Sequence, residues 1–495
     1  MDKYICIHGH FYQPPRENPW TGEIEKQESA APYHDWNERI TAECYDPNSH
    51  CEIFNGDGAK VKDQNNYAYT SFNFGPTLLS WMARNSKEAY EAIIHADAES
   101  MKNFNGHGSA IAQVYNHIIM PLANQRDKET QIIWGIKDFE HRFKRKPLGM
   151  WLAETAVDTA TLELLAQHEI QFTILAPRQA KEIRKIGTEH WDSVAYEKVN
   201  PFRAYLCKLP SGKSIHLFFY DGPISQDIAF NNLLANGESF ANRLLDVLFH
   251  GDAQVVHIAT DGETYGHHHA FGNKALAYCL HHVNNNPHAK LTVYSEFLQK
   301  FPAEYEVRIF ENSSWSCVHG VERWRSNCGC GSEGGGQQQW RDPLRRAMSW
   351  LVEKSAQVYE KQMKKYNVDP WEIRNCYIEL ILEHGIDDIN AFFKNHFPKR
   401  LSNRHKNKIL RLLDMQHQSL LMQTSCGWFF EEISRLEGVQ VMAYARKCLE
   451  LAQKFCFFSL EKQYCHILEE AQSNMEQYKN GADVYRQIVK KIPRS

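Results

Sequence analysis

Short apolar runs alternate with helix-like segments over residues 1–310. The apolar runs include Tyr4–Ile7, Phe172–Leu175, Ile215–Tyr220 and Val255–Ala259, and segments with helical periodicity, such as Glu129–Phe143, lie between them. Strands that alternate with helices predict βα units and a parallel sheet. Polar motifs follow several of these runs directly, which is where a βα barrel collects its active-site groups.

The pattern changes beyond residue 310. Residues 311–342 contain clustered cysteines and glycines without clear periodicity, which predicts a loop excursion. Residues 343–495 contain amphipathic helical patterns, for example Val441–Phe455, and few β-branched runs. We therefore predict a catalytic barrel domain over 1–310, a Cys/Gly-rich loop excursion over 311–342, and a helical domain over 343–495 packed on the barrel.

Composition and charge exclude several classes of protein. The chain has 495 residues, with 56 Lys+Arg against 60 Asp+Glu, and its formal charge of −4 gives no strong field for nucleic acid or an anionic membrane. No apolar run reaches the ~18 residues of a membrane span, and the N-terminus lacks a signal-peptide pattern. The 13 cysteines, an odd number, fit reduced thiols better than a disulfide framework. We therefore expect a cytoplasmic protein with no nucleic-acid or membrane partner.

One candidate for chemistry is the motif GMWLAETAVD at Gly149–Asp158. Glu154 follows Trp151 by three residues, at the end of a predicted strand. A carboxylate at this place suits a glycosidase nucleophile, because it can face an anomeric carbon while the indole lines the sugar site. The alternative is a helix N-terminus, where Glu154 and Asp158 complement the helix dipole.

A second candidate is the motif HIATDGETYGHHH at His257–His269. An apolar strand ends at Asp261 beside a glycine, so that its carboxylate can project into a cleft, and Glu263 and His267 follow. The alternatives are a turn aspartate and a surface histidine run. Metal binding by His267–His269 is a weaker hypothesis, because the HExxH spacing is absent.

The motif HGHFYQPPRENPW follows the first predicted strand, at His8–Trp20. His10, Tyr12 and Gln13 could hydrogen-bond hydroxyl groups there, and Trp20 could provide a stacking plane. The alternative is a proline-rich loop whose histidines are hydrogen-bonded barrel residues.

A further motif, NGHGSAIAQVYNHIIMPL at Asn105–Leu122, places Asn116 and His117 among apolar residues. Polar groups in such surroundings are typical of positions in or beside a cleft. A histidine hydrogen-bonded within the core is the alternative, and the sequence does not decide between the two.

In this order and at these spacings, the motifs resemble those of glycoside hydrolase family 57. That family carries a His-Gln-Pro-like element near the N-terminus, a middle polar element, a Trp-x-x-Glu element, and an Asp-Gly-Glu or Asp-x-Glu element. HFYQP at His10–Pro14 matches the first, WLAE at Trp151–Glu154 the third, and DGETYG at Asp261–Gly266 the fourth. The resemblance covers residues 4–310, approximately.

The resemblance implies a role for individual residues. Glu154 would be the nucleophile and Asp261 the general acid/base of a retaining enzyme, with their carboxyl groups roughly 5–7 Å apart. The residues expected to bind substrate are His10, Gln13, Tyr12, Trp20, Asn116, His117, Trp151, Glu263, His267 and Trp428.

The sequence departs from the family pattern in the residues around the catalytic pair. Tyr12 stands where many members have a histidine, and Asn116 and His117 occupy the element where glucanotransferase members carry a glutamate. Trp428, in TSCGWFFEE, resembles an aromatic element that members contribute to the substrate cleft, and a buried helix start is its alternative. These departures leave the balance between hydrolysis and transfer open.

The fold implied by the resemblance agrees with the elements predicted along the chain, and the resemblance also implies an activity. The family has an α/β fold, a distorted seven-stranded (β/α) barrel followed by an α-helical bundle region. Its implied activity is α-amylase-like or 4-α-glucanotransferase-like hydrolysis or transfer on α-glucan or maltooligosaccharide substrates, with no cofactor. The alternatives are a metal-dependent carbohydrate hydrolase or deacetylase of related barrel type, and a non-catalytic polysaccharide-binding protein.

The segment SWSCVHGVERWRSNCGCG holds a cluster of possible metal ligands, Cys317, His319, Cys328 and Cys330. Three thiolates and one imidazole form an accepted tetrahedral set for Zn²⁺. The C-x-H and C-x-C spacings are atypical, and two alternatives stay open. These are a structural loop bordering the substrate cleft and a disulfide, which the expected cytoplasmic setting disfavours.

Overall fold

A computed structural model describes residues 3–54, 57–249, 253–331, 336–383 and 385–494 of the chain. Its β-strands are β1 (Lys3–Phe11), β2 (Cys51–Phe54), β3 (Lys60–Gln64), β4 (Ser71–Phe74), β5 (Ala112–Gln113), β6 (Met150–Trp151), β7 (Phe172–Leu175), β8 (Ala180–Lys185), β9 (Asp192–Ser193), β10 (Tyr205–Lys208), β11 (Ser214–Phe219), β12 (Val255–Asp261), β13 (Ala289–Leu291) and β14 (Tyr305–Ile309). Its α-helices are α1 (Trp36–Ile40), α2 (Asp46–Ser49), α3 (Pro76–Asn85), α4 (Lys87–Asn103), α5 (Gln125–Phe143), α6 (Thr159–Gln167), α7 (Gly222–Phe230), α8 (Gly237–Phe249), α9 (Gly272–Asn284), α10 (Tyr294–Lys300), α11 (Arg341–Met363), α12 (Pro370–Cys376), α13 (Ile378–Leu382), α14 (Ile386–His396), α15 (Asn403–Leu421), α16 (Leu436–Gln453), α17 (Leu460–Leu468) and α18 (Gly481–Gln487).

The chain divides into two compact units that are not contiguous in sequence. The first unit comprises Met1–Gln13, Lys26–Val114 and Phe139–Trp315, and the second comprises Pro14–Glu25, Tyr115–Asp138 and Ser316–Ser495. The sequence pattern predicted a barrel over 1–310, a loop excursion over 311–342 and a helical domain over 343–495, so it placed residues 14–25 and 115–138 in the barrel. Local periodicity reports which element a segment forms but not which core it joins, so the two insertions could not be recognised from it.

Parallel pairing around β1 organises the first unit. Strand β1 pairs with β12 from Tyr4–Val255 to His10–Asp261, and with β4 from His8–Ser71 to Phe11–Phe74. Its residues from Tyr4 onward are all buried, as expected for a parallel strand covered on both faces. The carboxyl ends of these strands therefore lie side by side.

Parallel pairing continues beyond β4 through short contacts. Phe72 of β4 bridges Ala110, β5 pairs with β6, Gly149 bridges Phe172 of β7, and β7 pairs with β11. After β11, the Asp221 N–H donates to the His257 carbonyl of β12 at 2.8 Å. The mixed α/β fold with a helical C-terminal region is confirmed. The paired strands divide into separate sheets, so the closed seven-stranded barrel stays a prediction.

Side chains of β1 alternate between two cores. Ile5 and Ile7 pack in a cluster with residues of α8 and α9, whereas Tyr4 and Cys6 pack on the other face with Trp151. Because side chains alternate along a strand, His8 and His10 point to the same face as Tyr4 and Cys6. This alternation turns both histidines toward the interior of the first unit.

A buried ion pair lies in the core of the second unit. Arg374 of α12 and Asp127 of α5 are both almost fully buried, and the Arg374 guanidinium donates to the Asp127 carboxylate at 2.7 Å. Arg374 also donates to the Arg126 carbonyl and to Thr130 Oγ1. These bonds tie the inserted segment 115–138 to the C-terminal helices. Among the described residues, no helix is both long and apolar enough to span a bilayer.

We expect Arg374→Ala to lower the free energy of unfolding by about 3–5 kcal/mol, because it leaves the Asp127 carboxylate buried and unpaired. Urea unfolding followed by circular dichroism measures the change. The control is Arg346→Ala, which removes an exposed pair with Asp342 and is expected to change stability by less than about 1 kcal/mol. Equal effects of the two substitutions would contradict the interpretation.

Candidate active site

The two predicted catalytic carboxylates lie at or just beyond the ends of parallel strands. Glu154 comes three residues after the end of β6, and Asp261 is the last residue of β12. His10 of β1 is the direct neighbour of Asp261 in the strand register. The sequence motifs that contain these residues are thus joined in one region of the first unit.

The backbone at Glu154 is in the left-handed region. Glu154 has φ of 56° and ψ of 22°, and Thr155 has φ of 50°. Residues other than glycine avoid this region, and they adopt it only where the surrounding structure stabilises the conformation. The Trp315 indole N–H donates to Glu154 Oε2 at 2.9 Å, and its backbone N–H donates to the Glu154 carbonyl at 3.1 Å. Trp315 therefore fixes both the carboxylate and the main chain of Glu154.

Gln179 holds the turn from the other side. This fully buried side chain accepts hydrogen bonds from Thr155 Oγ1 and from the Ala176 N–H, each at 2.8 Å. Its amide nitrogen donates to the Thr155 carbonyl at 2.8 Å and to Ser313 Oγ at 3.2 Å. One amide group thereby connects the Glu154–Thr155 turn to two other segments of the first unit.

Asp261 lies in an electrostatic setting that favours its protonated form. Its side chain reaches solvent, yet the surrounding protein raises its pKa well above the ordinary value, mainly by desolvation and then through the negative charges of Glu263 and Glu154. The contribution of Glu154 is the smallest of the three causes. A protonated acid beside a second carboxylate is the arrangement that general acid catalysis requires.

Glu263 is buried beneath Asp261 and is held by two donors. The Tyr45 hydroxyl donates to Glu263 Oε1 at 2.5 Å, and the Tyr12 N–H donates to the same oxygen at 2.9 Å. Burial raises the pKa of Glu263 to about 7, against the lowering effect of these bonds. The turn requires Gly262, because a Cβ there would lie 2.2 Å from the Phe11 ring. The charge of Glu263 contributes to the raised pKa of Asp261, and the expected contact of Glu263 with substrate stays a prediction.

His10 is oriented by a network of buried amides. Asn73 Nδ2 donates to His10 Nδ1 at 2.9 Å and to Gln113 Oε1 at 2.8 Å, while Asn73 Oδ1 accepts from His8 Nε2 at 3.1 Å. Because His10 Nδ1 accepts a hydrogen bond, the proton of its neutral ring resides on Nε2. Burial lowers the pKa of His8 to about 3, so that His8 stays neutral. His10 Nε2 is therefore a hydrogen-bond donor.

Trp151 supports this network rather than lining a sugar site. Its indole is fully buried and stacks on His8 and His10, each with ring centroids 4.9 Å apart. The Trp315 ring packs against it edge-on at 5.2 Å. The expectation that Trp151 contacts substrate is therefore corrected, because the protein covers the whole ring. The W-x-x-E spacing does not indicate which face of the turn the indole occupies.

Tyr12, Gln13 and His267 lie at the border of the same region and are half-buried. The Tyr12 ring stacks on His10 at 5.8 Å, and the Gln13 amide donates to the Tyr12 carbonyl at 3.0 Å. His267 Nδ1 lies 2.5 Å from Glu43 Oε2, in a π-helical turn that also carries Tyr45. Their contact with a substrate stays a prediction.

The three consecutive histidines do not converge on one point. His267 pairs with Glu43, whereas His269 Nε2 faces the Ala229 carbonyl at 3.1 Å. In the described part of the chain, neither of the two groups of metal-ligating atoms within 4.8 Å of one another includes a histidine of this run. The metal-dependent alternative therefore has no ligand cluster here to support it.

The remaining predicted substrate-binding residues belong to the second unit. Asn116 exchanges hydrogen bonds with Gln131, and His117 Nδ1 lies 2.7 Å from Ser425 Oγ. Both are buried, as the core interpretation expects. The Trp20 indole donates to Glu450 at 3.1 Å.

Trp428, also in the second unit, is fully buried. Its indole N–H donates to the Arg341 carbonyl at 3.2 Å, and the Arg345 guanidinium lies 3.8 Å from its ring centroid. The protein leaves no part of this ring for a sugar, so the expected substrate contact is corrected in favour of the packing interpretation. Roles of Trp20, Asn116 and His117 toward a substrate stay predictions.

The sequence analysis missed the residues that hold the carboxylates. Gln179, Asn73 and Tyr45 lie outside every motif, and Trp315 belongs to the segment SWSCVHGVERWRSNCGCG, which the sequence indicated only as a possible metal site or a loop bordering the cleft. Each reaches the site from a distant part of the chain. The one local signal that could have indicated Asn73 is its position as a polar residue between two phenylalanines within the strand SFNF, Ser71–Phe74.

A family model described as glycosyl hydrolase family 57 matches residues 35–309, more than half of the chain. A second model, described as a domain of unknown function (DUF3536), matches residues 337–493. The chain is 23% identical over 195 residues to Alpha-amylase 1 of Dictyoglomus thermophilum. That match covers 39% of this chain and 25% of the relative, so it spans a quarter of the relative's length.

Two solved structures resemble the chain over nearly its whole length. An exo-type maltose-forming amylase from Pyrococcus sp. ST04 has a TM-score of 0.68 at 17% identity, covering 95% of this chain and 83% of that one. A GH57-type branching enzyme from Pyrococcus horikoshii has a TM-score of 0.58 at 15% identity, covering 99% and 94%. At these identities the similarity concerns the fold.

We expect Gln179→Ala to lower the free energy of unfolding by about 2–4 kcal/mol, because it leaves several buried polar groups around Thr155 without their partner. Denaturant unfolding of the whole chain measures this. The matched control is Gln299→Ala, since Gln299 is exposed and its side chain is hydrogen-bonded to the exposed end of His107. If both variants unfold like the wild type, Gln179 does not hold the turn.

Glu263 gives a pH-dependent contribution to stability. Its folded pKa of about 7 lies above the ordinary value of 4.5, so the folded state binds the proton more tightly than the unfolded state. The sign of the linkage then predicts that stability falls as the pH rises from about 4.5 to about 7. We expect Glu263→Gln to flatten this part of the profile, measured by denaturant unfolding across the range. An unchanged slope would contradict the assignment.

Proposed function

The chain belongs to glycosyl hydrolase family 57, and we propose that it is a retaining glycoside hydrolase or transglycosylase that acts on α-linked glucose polymers. Glu154 is the proposed nucleophile and Asp261 the proposed general acid/base. The choice of α-glucan draws on the names of relatives, which include amylases and a branching enzyme. Maltooligosaccharides and longer α-glucans are therefore the proposed partners.

One observation carries the proposal. The Trp315 indole N–H fixes the Glu154 carboxylate beyond the end of β6, Asp261 ends β12, and the charge of Glu154 contributes to the raised pKa of Asp261. Two carboxyl groups with different proton affinities can divide the roles of nucleophile and acid. The proposal requires their carboxyl groups to be roughly 5–5.5 Å apart when substrate is bound, because a retaining enzyme has no room for water between acid and nucleophile.

In the proposed reaction, Glu154 attacks the anomeric carbon while Asp261 donates its proton to the glycosidic oxygen. The leaving group departs as an alcohol, and a glycosyl ester forms on Glu154. The Asp261 carboxylate then removes a proton from water or from an acceptor sugar hydroxyl, whose oxygen attacks the anomeric carbon and displaces Glu154. Both groups return to their starting protonation states, and the chemistry needs no cofactor.

Neighbouring residues support these two roles. The negative charge of Glu263 contributes to the raised pKa of Asp261, which favours the protonated form that a general acid needs. His10 is proposed to donate from Nε2 to a sugar hydroxyl, in a position fixed by Asn73 and by stacking on Trp151. Hydrogen bonds to hydroxyl groups can strengthen as charge develops in the transition state.

We also propose that the first unit closes as a distorted seven-stranded barrel formed by β1, β4, β5, β6, β7, β11 and β12. The bridges Phe72–Ala110 and Gly149–Phe172 support the links from β4 to β5 and from β6 to β7. The hydrogen bond from Asp221 to His257 supports the link that closes β11 onto β12. Closure would direct Glu154 and Asp261 to the carboxyl end of the strands, where barrel enzymes bind their substrates.

We expect Glu154→Ala to reduce kcat/KM on maltooligosaccharides by about a thousandfold or more, about 4 kcal/mol in activation free energy. Azide should partly restore turnover of an activated α-glucosyl substrate and give the β-glycosyl azide, because azide takes the place of the nucleophile. Asp261→Ala should instead lose least on substrates whose leaving group needs no proton, and azide should give the α-glycosyl azide.

The matched control is Asp158→Asn, a carboxylate four residues from Glu154 that caps α6 through Thr161. It should keep turnover near the wild-type value. Activity of Glu154→Ala equal to that of this control would overturn the proposal. The product profile of the wild type on maltooligosaccharides and glycogen then separates hydrolysis, transfer and branching.

A further inference from the structure

Four potential metal ligands converge within the loop at 316–331 of the second unit. Cys317 Sγ lies 4.0 Å from Cys328 Sγ and 3.8 Å from Cys330 Sγ, and His319 Nδ1 lies 3.4 Å from Cys330 Sγ. All four donor atoms are within 4.8 Å of one another. These separations bring donors from two parts of the loop, Cys317–His319 and Cys328–Cys330, around a single point although eight residues separate the two parts.

The donor separations fit the coordination geometry of zinc. Zn–S bonds near 2.3 Å and Zn–N bonds near 2.0–2.1 Å in a tetrahedron place sulfur atoms about 3.8 Å apart and sulfur and nitrogen about 3.6 Å apart. The three short separations in the loop are close to these values. We propose that Cys317, His319, Cys328 and Cys330 bind one structural Zn²⁺ ion. Because all four positions of the tetrahedron are filled by protein, the site has no open position for catalysis.

The surroundings of the cluster suit a set of thiolates. The buried guanidinium of Arg341 has Nη1 3.7 Å from Cys328 Sγ, and the Cys330 N–H donates to Cys328 Sγ at 3.4 Å. Three thiolates and a neutral imidazole leave a charge of −1 on the zinc site, which one guanidinium can balance. Groups that donate to metal ligands commonly fix their orientation.

Gln338 fixes the main chain of the same loop. Its amide nitrogen donates to the Cys330 carbonyl at 3.0 Å, and its oxygen accepts from the Gly329 N–H at 3.2 Å and from Arg341 at 2.5 Å. Gly329 has φ of 79°, which is the left-handed conformation that lets the short C-x-C segment turn both thiols to the same side. The atypical spacing is thereby reconciled with a closed site.

The two alternatives from the sequence fit less well. A disulfide holds two sulfur atoms about 2.05 Å apart. In the structure all three cysteines are free thiols, and Cys317 Sγ lies 4.0 Å from Cys328 Sγ and 3.8 Å from Cys330 Sγ. A structural loop accounts for the hydrogen bonds of Gln338 and Arg341, but not for the convergence of four donor atoms within 4.8 Å of one another. Donors this close also fit one ion rather than a multinuclear cluster.

The test is the zinc content of the full-length protein, purified with its thiols reduced. We expect one zinc per chain by elemental analysis, and X-ray absorption at the zinc edge should give three sulfur ligands near 2.3 Å and one nitrogen near 2.0–2.1 Å. Replacing zinc with Co²⁺ should produce thiolate-to-metal charge-transfer bands and the ligand-field bands of a tetrahedral ion. The absorption measurement uses the wild type, so it stands even if ligand variants fail to fold.

Variants then assign the site. Cys317→Ser and Cys330→Ser should lose the bound zinc, whereas the control Cys456→Ser, at a half-buried cysteine outside the cluster, should retain it. Gln338→Ala should weaken zinc affinity about 10–100-fold in competition with a chromophoric chelator. The proposal is overturned if metal-free reduced protein takes up no zinc when titrated with it, if the absorption spectrum shows another ligand set, or if Cys317→Ser binds zinc like Cys456→Ser.

Discussion

Glu154 and Thr155 both adopt the left-handed backbone conformation, which costs non-glycine residues on the order of 1–3 kcal/mol each. The turn persists because Trp315 and Gln179, from two other segments, donate hydrogen bonds to the carbonyls of Glu154 and Thr155. Without this conformation the chain would continue from β6 in an extended path, and the carboxylate would leave the region of Asp261. The strain and the hydrogen bonds that oppose it therefore determine where the carboxylate lies.

Charge at this strand edge is controlled by burial rather than by counter-ions. Asp261 and Glu263 both have raised pKa values with desolvation as the main cause, and the donors to Glu263 are a tyrosine hydroxyl and a main-chain N–H. A cation placed among them would lower these pKa values and ionise the acid. The neutral donors to Glu263 position its carboxylate and lower its pKa by less than desolvation raises it.

The sequence predicted those parts of the fold and site that are local in the chain. The runs at β1, β7, β11 and β12 are strands, and the motifs around Glu154 and Asp261 lie at strand ends. Trp151 and Trp428 were assigned to substrate because an aromatic motif does not show which side of a turn becomes buried. Gln179 and Asn73 could not be found, since their importance arises from partners that are distant in sequence.

The chain passes from the first unit to the second at three places, after Gln13, after Val114 and after Trp315, and it returns at two. Trp315 contacts Glu154, and Gln113, which precedes Val114, belongs to the network around His10. Inserted segments are tolerated at the carboxyl ends of barrel strands, because the hydrogen-bonded strands fix the preceding residues whatever the loop does afterwards. The network around Glu154 and His10 is therefore formed by strands and turns of the first unit alone. The segments that leave this unit form a second core, which has its own ion pair and cysteine cluster.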